Sequence, residues 1–282
     1  MGLAAGYIKG WNVMRVCDLG EISGDMLLFG GVYSNLAALN ALIEVAKDNG
    51  IAAQNCICTG DLVAYCADAE ASVNAIRSFG CPVVAGNCEL QLARDAQDCG
   101  CGFDAGSACS VLAVGWYTHA RRQISDTNKR WMGRLPERIL FTRNGQRYVV
   151  LHGGATEISR FIWPVTDNSV ILHEIKVLDV QVGAFDHVIS GHSGIAMNRA
   201  IKGISWTNTG AIGMPGHNGK QQTRYGYLSD KSIKIKELQY DVDATYLAMQ
   251  RAGLTQGYDK TLLSGYWPSE DTLPPEMHQK IA

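Results

Sequence analysis

The sequence predicts an α+β fold, and three of its features support this prediction. In the first half, short apolar runs alternate with amphipathic stretches in the order βαβαβα, which is typical of a largely parallel sheet covered by helices. The second half is mostly β in its pattern. The 282 residues, 46% of them hydrophobic, are enough to bury a sizeable core, and no internal repeat or long linker divides them. We therefore expect a single domain over residues 1–282.

Three apolar runs in the first half predict strands: Met26–Val32, Asn55–Thr59 and Pro82–Ala85. A helix is predicted after each of them: Asn35–Asn49, Asp68–Phe79 and one from about Glu89. In the first of these helices the apolar residues recur on one face, and Gly50 stands in the stop position. Asp68 is expected to cap the second helix and Gly80 to end it.

The second half begins with a helical but irregular stretch over Ser107–Arg134. The Asn144-Gly145 pair between two apolar runs then predicts a β-hairpin formed by Arg138–Thr142 and Arg147–Leu151. A helix over Ser169–Leu178 follows the hairpin. Four later runs complete the pattern as strands: Asp186–Ser190, Ile204–Thr207, Thr223–Ser229 and Ser232–Leu238.

The composition argues against several classes of protein. With 27 acidic and 25 basic residues the formal net charge is -2, which does not suit a basic nucleic-acid binder. No apolar run approaches the roughly 18 residues of a membrane span, and the nearest, Met26–Phe29, ends at Gly30-Gly31. Met1–Trp11 has one Lys and no sustained apolar region, so we expect no secretory signal. We expect a soluble, cytoplasmic protein that binds neither nucleic acid nor membranes, and leave a homo-oligomer open.

Nine cysteines, all before residue 110, are the most unusual feature of the composition. An odd number without a secretory signal indicates free thiols rather than a disulfide framework. Two pairs have Cys-x-Cys spacing, Cys56/Cys58 and Cys99/Cys101, which is not the Cys-x-x-Cys spacing of common zinc sites. We therefore expect small buried hydrophobic residues and a few exposed thiols.

Polar, glycine-containing turns follow five of the predicted strands. These turns are Gly30–Asn35, Thr59–Asp61, Gly86–Glu89, His152–Gly154 and Gly191–Gly194. Ligands of α/β sheets bind at the carboxyl ends of strands, where such loops converge. An Asp, an Asn and two His that converge on one point form an oxygen and nitrogen ligand set for a divalent transition metal. The sequence therefore predicts a metal site at the strand ends.

The order Gly-Asp, Gly-Asn, His-Gly-Gly, Gly-His resembles the calcineurin-like metallophosphoesterase superfamily, especially its bacterial phosphodiesterase and diadenosine-tetraphosphatase-like branch. Asn208–Pro215 is similar to that branch's late Asn-Pro-Gly-Ser-Val-Gly-x-Pro segment. The resemblance covers a core of about residues 27–238. It implies a four-layer αββα sandwich of two mixed β-sheets flanked by helices, with the metals at the strand ends.

Two terminal extensions lie outside the resemblance. In residues 1–25 we expect an extra strand at Met14–Asp18. Residues 241–282 predict one helix and a Pro-rich tail, which either cover the pocket or pair two subunits.

The sequence departs from the family motifs at four positions. Gly31 and Tyr33 stand where the family has the Asp and His of its first loop, and Gly194 stands in place of its last His. Cys88 replaces the usual catalytic His. In the family, the first-loop Asp and His and the last His bind only the first of two metals. The resemblance therefore implies that this chain lacks every ligand exclusive to that metal.

The ligands of the second metal are all retained. By resemblance, Asp61, Asn87, His152 and His192 would hold one divalent transition metal ion, for which Mn, Fe and Zn, and also Ni, are suitable. A single ion cannot clamp both the attacking and the leaving oxygen, so we expect weak phosphodiesterase turnover.

Several residues around this set remain open to more than one interpretation. Cys88 is an extra soft ligand, a proton donor or an inert thiol. Tyr33 is either a phenolate ligand or a ring that fills the first metal's place. Cys99 and Cys101 either reach the pocket or stay in a Gly-rich loop. The remaining candidates for the pocket are Gly31, Asn35, Arg160 and Gly194, of which Arg160 faces either an anionic substrate or solvent.

Three functions are compatible with the retained ligands. The first is a metal-dependent phosphoesterase-like hydrolase with one ion that acts on a small phosphorylated or anionic substrate. The second is a catalytically impaired pseudoenzyme that binds or senses a metal or ligand. The third is a mononuclear Fe site with non-hydrolytic chemistry. Retention of the metal ligands favours metal binding, and loss of the general acid argues against ordinary hydrolysis.

Overall fold

Two mixed β-sheets form the centre of the computed structural model, which describes residues 14–230 and 232–279. The strands of this part of the chain are β1 (Val16–Glu21), β2 (Met26–Phe29), β3 (Cys56–Cys58), β4 (Arg138–Arg143), β5 (Gln146–Val150), β6 (His187–Ser190), β7 (Met197–Ile201), β8 (Ile204–Asn208), β9 (Thr223–Ser229) and β10 (Ser232–Leu238). Their order is β1-β4-β5-β6-β8-β7 in the larger sheet and β10-β9-β2-β3 in the smaller one. Parallel and antiparallel pairs occur in both sheets.

Helices cover the outer faces of the two sheets. In the described residues they are α1 (Leu36–Asp48), α2 (Ala69–Phe79), α3 (Asn87–Ala93), α4 (Ala108–Gln123), α5 (Asp126–Met132), α6 (Asn168–Val182), α7 (Val242–Arg251) and α8 (Tyr258–Ser264). No helix of these residues combines the length and the apolar character that crossing a membrane requires.

Side-chain alternation along the strands creates the layers. Successive side chains of a strand point to opposite faces. In β2, Leu27 and Phe29 pack with the helices of the smaller sheet, whereas Met26 and Leu28 pack between the two sheets. On the larger sheet, Val149 packs outward under α6 and its neighbours pack inward. The four-layer α+β sandwich expected from the resemblance is therefore confirmed.

Most predicted elements are present with small shifts of their ends. The Asn144-Gly145 turn forms the expected hairpin, with both residues at positive φ, 52° and 73°, as a two-residue type I′ turn requires. The extra N-terminal strand is present as β1, which pairs in parallel with β4. The expected absence of a secretory signal in Met1–Trp11 concerns residues outside the described part of the chain.

Four expectations about the elements are corrected. The strand predicted at Pro82–Ala85 is a single bridge between Cys58 and Val83, because Ala85 already bonds to the Pro136 carbonyl. Strand β7 was not predicted, since its central residues are polar and lie at a sheet edge. Residues 241–279 contain two α-helices rather than one. Asp68 stands at the start of α2, but its side chain makes no capping bond there.

Asn35 joins three parts of the fold from a fully buried position. Its Oδ1 accepts the Ala38 N–H at 3.0 Å, which caps α1, and the Thr245 hydroxyl of α7 at 2.8 Å. Its Nδ2 donates to the Gly213 carbonyl at 3.0 Å. Asn35 was expected in the pocket, but all its polar atoms are engaged in these structural bonds.

We predict that Asn35→Ala lowers the free energy of unfolding by about 2–3 kcal/mol, because a helix cap is lost and buried polar partners are left without bonds. Asn49→Ala, at the exposed other end of α1, is the matched control and should change stability by no more than about 0.5 kcal/mol. Urea denaturation followed by circular dichroism measures both variants. Equal stability of the two variants would contradict the role of Asn35.

Candidate metal site

Loops from both sheets meet at one point beside the strand ends. Asp61 follows β3 of the smaller sheet, and Asn87 begins α3. His152 follows β5 and His192 follows β6, two neighbouring parallel strands of the larger sheet. The structure thus brings together the four residues that the sequence singled out, and among the described residues Asp61, His152 and His192 form a cluster suited to a metal ion.

The ligand atoms of these four residues lie at the separations that one ion would require. His152 Nε2 is 3.0 Å from Asn87 Oδ1, 3.1 Å from His192 Nδ1 and 3.3 Å from Asp61 Oδ2. His192 Nδ1 is 3.9 Å from Asp61 Oδ2. Because Zn–N and Zn–O bonds are about 2.0–2.2 Å long, neighbouring ligand atoms of one ion are roughly 3–3.5 Å apart. The set fits a divalent ion without rearrangement of its backbone.

Two buried polar atoms of this cluster lack a hydrogen-bond partner. They are Oδ1 of Asp61 and Nε2 of His192. A buried carboxylate oxygen without a donor is costly, and a bound cation nearby would offset part of that cost. The unpartnered Asp61 oxygen therefore supports a cation at the site, whereas His192 Nε2 does not, because His192 contacts the cluster through Nδ1.

Hydrogen bonds behind two of the ligands fix the atoms that face the site. His152 Nδ1 is 2.7 Å from the Thr59 carbonyl, to which it donates, so the Nε2 lone pair points inward. Asn87 Nδ2 donates to the Cys99 carbonyl at 2.9 Å, so the amide oxygen points inward. Both ligands are therefore oriented by outer partners, as in known metal centres.

The carboxylate of Glu89 holds the backbone around Asp61. It accepts the backbone N–H groups of Asp61, Leu62 and Gly86, each at 2.8 Å. Burial, with the neighbouring Asp61 charge, raises the pKa of Glu89 to about 7. Asp61 and His192 both adopt left-handed backbone conformations, at φ 53° and 61°, which non-glycine residues adopt only under tertiary constraint.

The pKa shifts of the three ionisable residues of the cluster differ in direction. Burial alone would raise the pKa of Asp61, but His152 and His192 lower it, so the carboxylate stays ionised. Burial and the neighbouring His152 lower the pKa of His192 to about 3, so this imidazole stays neutral. Burial opposes protonation of His152 too, but Asp61 and the Thr59 carbonyl outweigh it and raise its pKa. An anionic carboxylate and a neutral imidazole are the forms that ligate metals, so Asp61 and His192 are in the required forms, whereas His152 would give up a proton when an ion binds.

A tyrosine ring lies beside the cluster, between the two glycines that stand at first-metal positions in the family resemblance. A Cβ added to Gly31 would lie 2.7 Å from Tyr33 Cζ and 2.7 Å from Ala211 Cβ. A Cβ added to Gly194 would lie 3.4 Å from the Tyr33 hydroxyl. The Tyr33 ring therefore lies between the two glycines, 4% exposed. Burial, with the nearby Asp61, raises its pKa well above the ordinary value and keeps the phenol neutral.

A small aromatic cavity of about 40 Å³ lies beside His192 and Tyr33. Its aromatic walls are Tyr33, Tyr65, Phe103, Phe161, Tyr258 and Trp267. None of the described residues that line it is Lys or Arg. The wall formed by Tyr258 and Trp267–Ser269 belongs to the C-terminal extension. Of the two alternatives for this extension, covering the pocket or pairing two subunits, the structure shows the first.

His217 secures this C-terminal wall. Its Nδ1 accepts the backbone N–H of Trp267 at 2.8 Å, and its Nε2 lies 2.6 Å from Glu270 Oε1. The Trp267 indole N–H donates to the Pro215 carbonyl at 2.7 Å. His217, Tyr258 and Trp267 lie outside the strand-end motifs, so those motifs did not indicate them.

Arg160 lies away from the cavity, whereas Cys88 lies beside the cluster. Arg160 Nε lies 3.0 Å from Glu174 Oε1 on α6, so this guanidinium is paired with protein and does not line the cavity. Cys88 is buried, with Sγ 3.5 Å from Asn87 Nδ2. Burial, with Asp61 and Glu89, raises the pKa of the Cys88 thiol well above its ordinary value.

The expectation that all cysteines are thiols is corrected by a disulfide between Cys99 and Cys101. Cys101 Sγ lies 3.5 Å from Asn87 Nδ2, so this pair does reach the cluster. The turn formed by Gly100 brings the two side chains to the same side of the loop, which residue counting alone cannot show. The other cysteines of the described residues are free.

Comparison with known proteins agrees with this architecture. The uncharacterized protein MJ0912 of Methanocaldococcus jannaschii is 24% identical over 254 residues, which is 83% of this chain and 95% of that protein. A metallophosphoesterase from Sphaerobacter thermophilus superposes with a TM-score of 0.64 at 18% identity, covering 90% of this chain and 100% of that one. The hypothetical protein PH1004 from Pyrococcus horikoshii superposes with a TM-score of 0.69 at 14% identity, covering 86% and 98%.

At these identities the solved structures show the fold alone. The stronger finding is that the family model of the calcineurin-like phosphoesterase superfamily domain matches residues 27–230, which contain all four converging ligands. The chain therefore belongs to the calcineurin-like phosphoesterase superfamily, as the strand-end motifs had indicated.

Proposed function

We propose that the protein is a metal-dependent phosphoesterase-like hydrolase that holds one divalent transition ion, Mn, Fe or Zn, and acts on a small phosphorylated or anionic substrate. One observation carries the proposal. Asn87 Oδ1, His192 Nδ1 and Asp61 Oδ2 lie 3.0, 3.1 and 3.3 Å from His152 Nε2. The Tyr33 ring fills the neighbouring space between Gly31 and Gly194.

In this proposal each ligand has a distinct role. Asp61 supplies the anionic oxygen, His152 and His192 supply neutral nitrogens, and Asn87 supplies an amide oxygen. A divalent ion bound there would polarise a phosphoryl oxygen and lower the pKa of a bound water. Such a set leaves open positions in the coordination sphere for water and substrate.

Protonation of the leaving group is the weak point of this site. Cys88 stands in the position of the family's catalytic His, and burial and the carboxylates around it keep its proton on sulfur. The Tyr33 phenol is held neutral in the same way. Neither group is a good general acid near neutral pH, since an effective one has a pKa near the working pH. Slow turnover follows.

The cavity sets a limit on the substrate. About 40 Å³ admits a few water molecules, so the C-terminal wall around Trp267 must move before an ester can reach the ligands. Because no cationic side chain lines the cavity in the described residues, the phosphoryl group would be held by the ion and the leaving group by aromatic side chains. The narrow access and Cys88 also favour a second candidate, a binding protein without turnover.

We predict one metal equivalent per chain. Protein stripped with chelator and reloaded separately with Mn²⁺, Fe²⁺ and Zn²⁺ should retain one ion after desalting, because residues 14–230 and 232–279 contain one cluster suited to a metal ion. Mass-spectrometric metal analysis measures the stoichiometry. Two equivalents, or none with any of the three metals, would contradict the proposal.

We predict that His152→Ala and His192→Ala each abolish stable metal retention, because three ligands remain from four. His187→Ala is the matched control: it lies at the other end of β6, bonded to Ser205 and Gln146, and should retain one ion. Tyr33→Phe should also retain it, since the ring is expected to pack rather than to ligate. Loss of metal from Tyr33→Phe would identify the phenol as a ligand.

The wild type should hydrolyse bis-p-nitrophenyl phosphate slowly or not at all, because it holds one ion and lacks a good general acid.

A fourfold variant restores the residues that the family resemblance implies: Gly31→Asp, Tyr33→His, Cys88→His and Gly194→His. In this variant Ala211 Cβ would lie 2.7 Å from the new Cβ at position 31. We therefore expect the fourfold variant to bind one ion. Addition of Ala211→Gly should allow two ions and raise the rate by at least about 100-fold, the usual scale of general acid catalysis.

Metal content and the rate of p-nitrophenolate release test this series, with Ala211→Gly alone as the control that should stay as slow as wild type. Wild-type turnover equal to that of the fivefold variant would refute the one-ion argument. A folded fivefold variant that binds two ions and stays inert would favour the binding protein instead.

A further inference from the structure

Sulfur atoms surround the amide of Asn87 on the side away from the metal cluster. Its Nδ2 lies 3.5 Å from Cys88 Sγ, 3.5 Å from Cys101 Sγ and 2.9 Å from the Cys99 carbonyl oxygen. The position of the Asn87 oxygen that faces His152 therefore depends on the loop of residues 99–101. Asn87 is the cluster residue whose side-chain amide bonds to this disulfide-bonded loop, and the Cys101 backbone also acts on His192.

The disulfide in this loop is poorly suited to a purely structural role. Cys99 and Cys101 are two residues apart, so their bond closes a very short loop. Stabilisation by loop closure grows with the length of the closed loop, and here it is small. The fold around the loop is already held by α3 and α4, which flank it.

The disulfide also borders a surface cavity on its outer side. Both cysteines line a surface cavity of about 250 Å³, separate from the aromatic cavity, between the loop and α4. Its other walls include Gln97, Asp98 and Tyr117. The space is sufficient for a small thiol to approach the sulfur atoms, although each cysteine is only 6% exposed. One side of the disulfide thus faces a cavity and the other faces Asn87.

We propose that Cys99–Cys101 is a thiol–disulfide exchange site for low-molecular-weight thiols, and that its redox state sets the metal affinity of the neighbouring cluster. A thiolate from the cavity attacks one sulfur, forms a mixed disulfide and releases the other cysteine as a thiolate. A second thiol attacks the mixed disulfide, leaves as the oxidised dimer of the small thiol and restores two protein thiols. Two electrons pass to the protein, and the oxidised small thiol reverses the reaction.

Opening the bond releases Cys101 Sγ and the Cys99 carbonyl from their fixed positions beside Asn87. The amide then loses the partners that direct its oxygen toward His152 Nε2. Outer partners of metal ligands typically change metal affinity by about 10–100-fold. This second half of the inference rests on the proposed metal site, whereas the exchange reaction does not.

The exchange site is tested by thiol labelling of the full chain. Protein equilibrated with oxidised glutathione is titrated with reduced glutathione, alkylated with iodoacetamide and mapped by peptide mass spectrometry. We expect Cys99 and Cys101 to be labelled only after reduction, and the half-exposed Cys17 to carry no intramolecular disulfide in either state, its thiol being free or bound to glutathione. Labelling of Cys99 and Cys101 before reduction, or their resistance to reduction in the folded protein, would overturn the proposal.

The coupling is tested by Zn²⁺ affinity, measured by competition with a chromogenic chelator in both redox states. We expect about tenfold weaker binding after reduction. Cys101→Ser should bind weakly in both states, and Cys17→Ser should keep the full redox response. Equal affinities in the two states overturn the coupling. Absence of Zn²⁺ binding in both states overturns the metal site and the coupling together, while the labelling pattern decides the exchange site by itself.

Discussion

The buried carboxylate of Glu89 is the constraint on which the site depends. It accepts three backbone N–H groups from two loops that follow β3 and the bridge residue Val83. A desolvated carboxylate without such donors would be strongly destabilising, and three short bonds compensate for its loss of water. The same bonds stabilise the left-handed backbone at Asp61, which directs its side chain toward the two histidines. The candidate ligand Asp61 is thus positioned by a residue that bonds to the backbone on either side of the cluster.

The Tyr33 ring, which stands where the family resemblance implies a first metal, affects the desolvation and packing of the site as well as the number of candidate ligands. A cation with carboxylate and imidazole ligands requires strong desolvation, whereas a neutral ring packs at little electrostatic cost. Tyr33 contacts the edge of Tyr65, with ring centroids 4.8 Å apart, and Tyr65 stacks on Tyr258 at 4.3 Å. This row of rings reaches α8 and the wall of the aromatic cavity. The filled metal place and the C-terminal wall therefore form one continuous aromatic surface.

The sequence was informative where a residue type is required by local geometry. Loops after strands carry the ligands because parallel strand ends meet at one edge, and the glycines of those loops permit close backbone approach. Gly30 is an example: a Cβ there would lie 1.9 Å from Thr59 Oγ1. These constraints are local, so spacing along the chain was sufficient to find Asp61, Asn87, His152 and His192 as a group.

The features that the sequence did not predict depend on long-range packing. Strand β7 carries no apolar run because its middle faces solvent at a sheet edge, so only its pairing with β8 defines it. The Pro82–Ala85 run is apolar because it is buried, yet it forms only a bridge. Tyr258 and Trp267 of the C-terminal wall lie well beyond the last motif in the chain, and no local pattern connects Trp267 with Pro215.

The hydrogen bonds that hold the candidate ligands come from different parts of the fold, some from buried backbone and some from a surface loop. His152 is fixed by a backbone carbonyl of a buried strand end, and Asp61 by the Glu89 bonds. Asn87 is held by a loop at the surface and supplies the weakest donor, a neutral amide oxygen. A change in the 99–101 loop acts most directly on the Asn87 oxygen, and it also reaches His192, on which the Cys101 backbone acts. Asp61 and His152 are held by contacts outside this loop, so a site of this kind would adjust its metal affinity while these two residues stay in place.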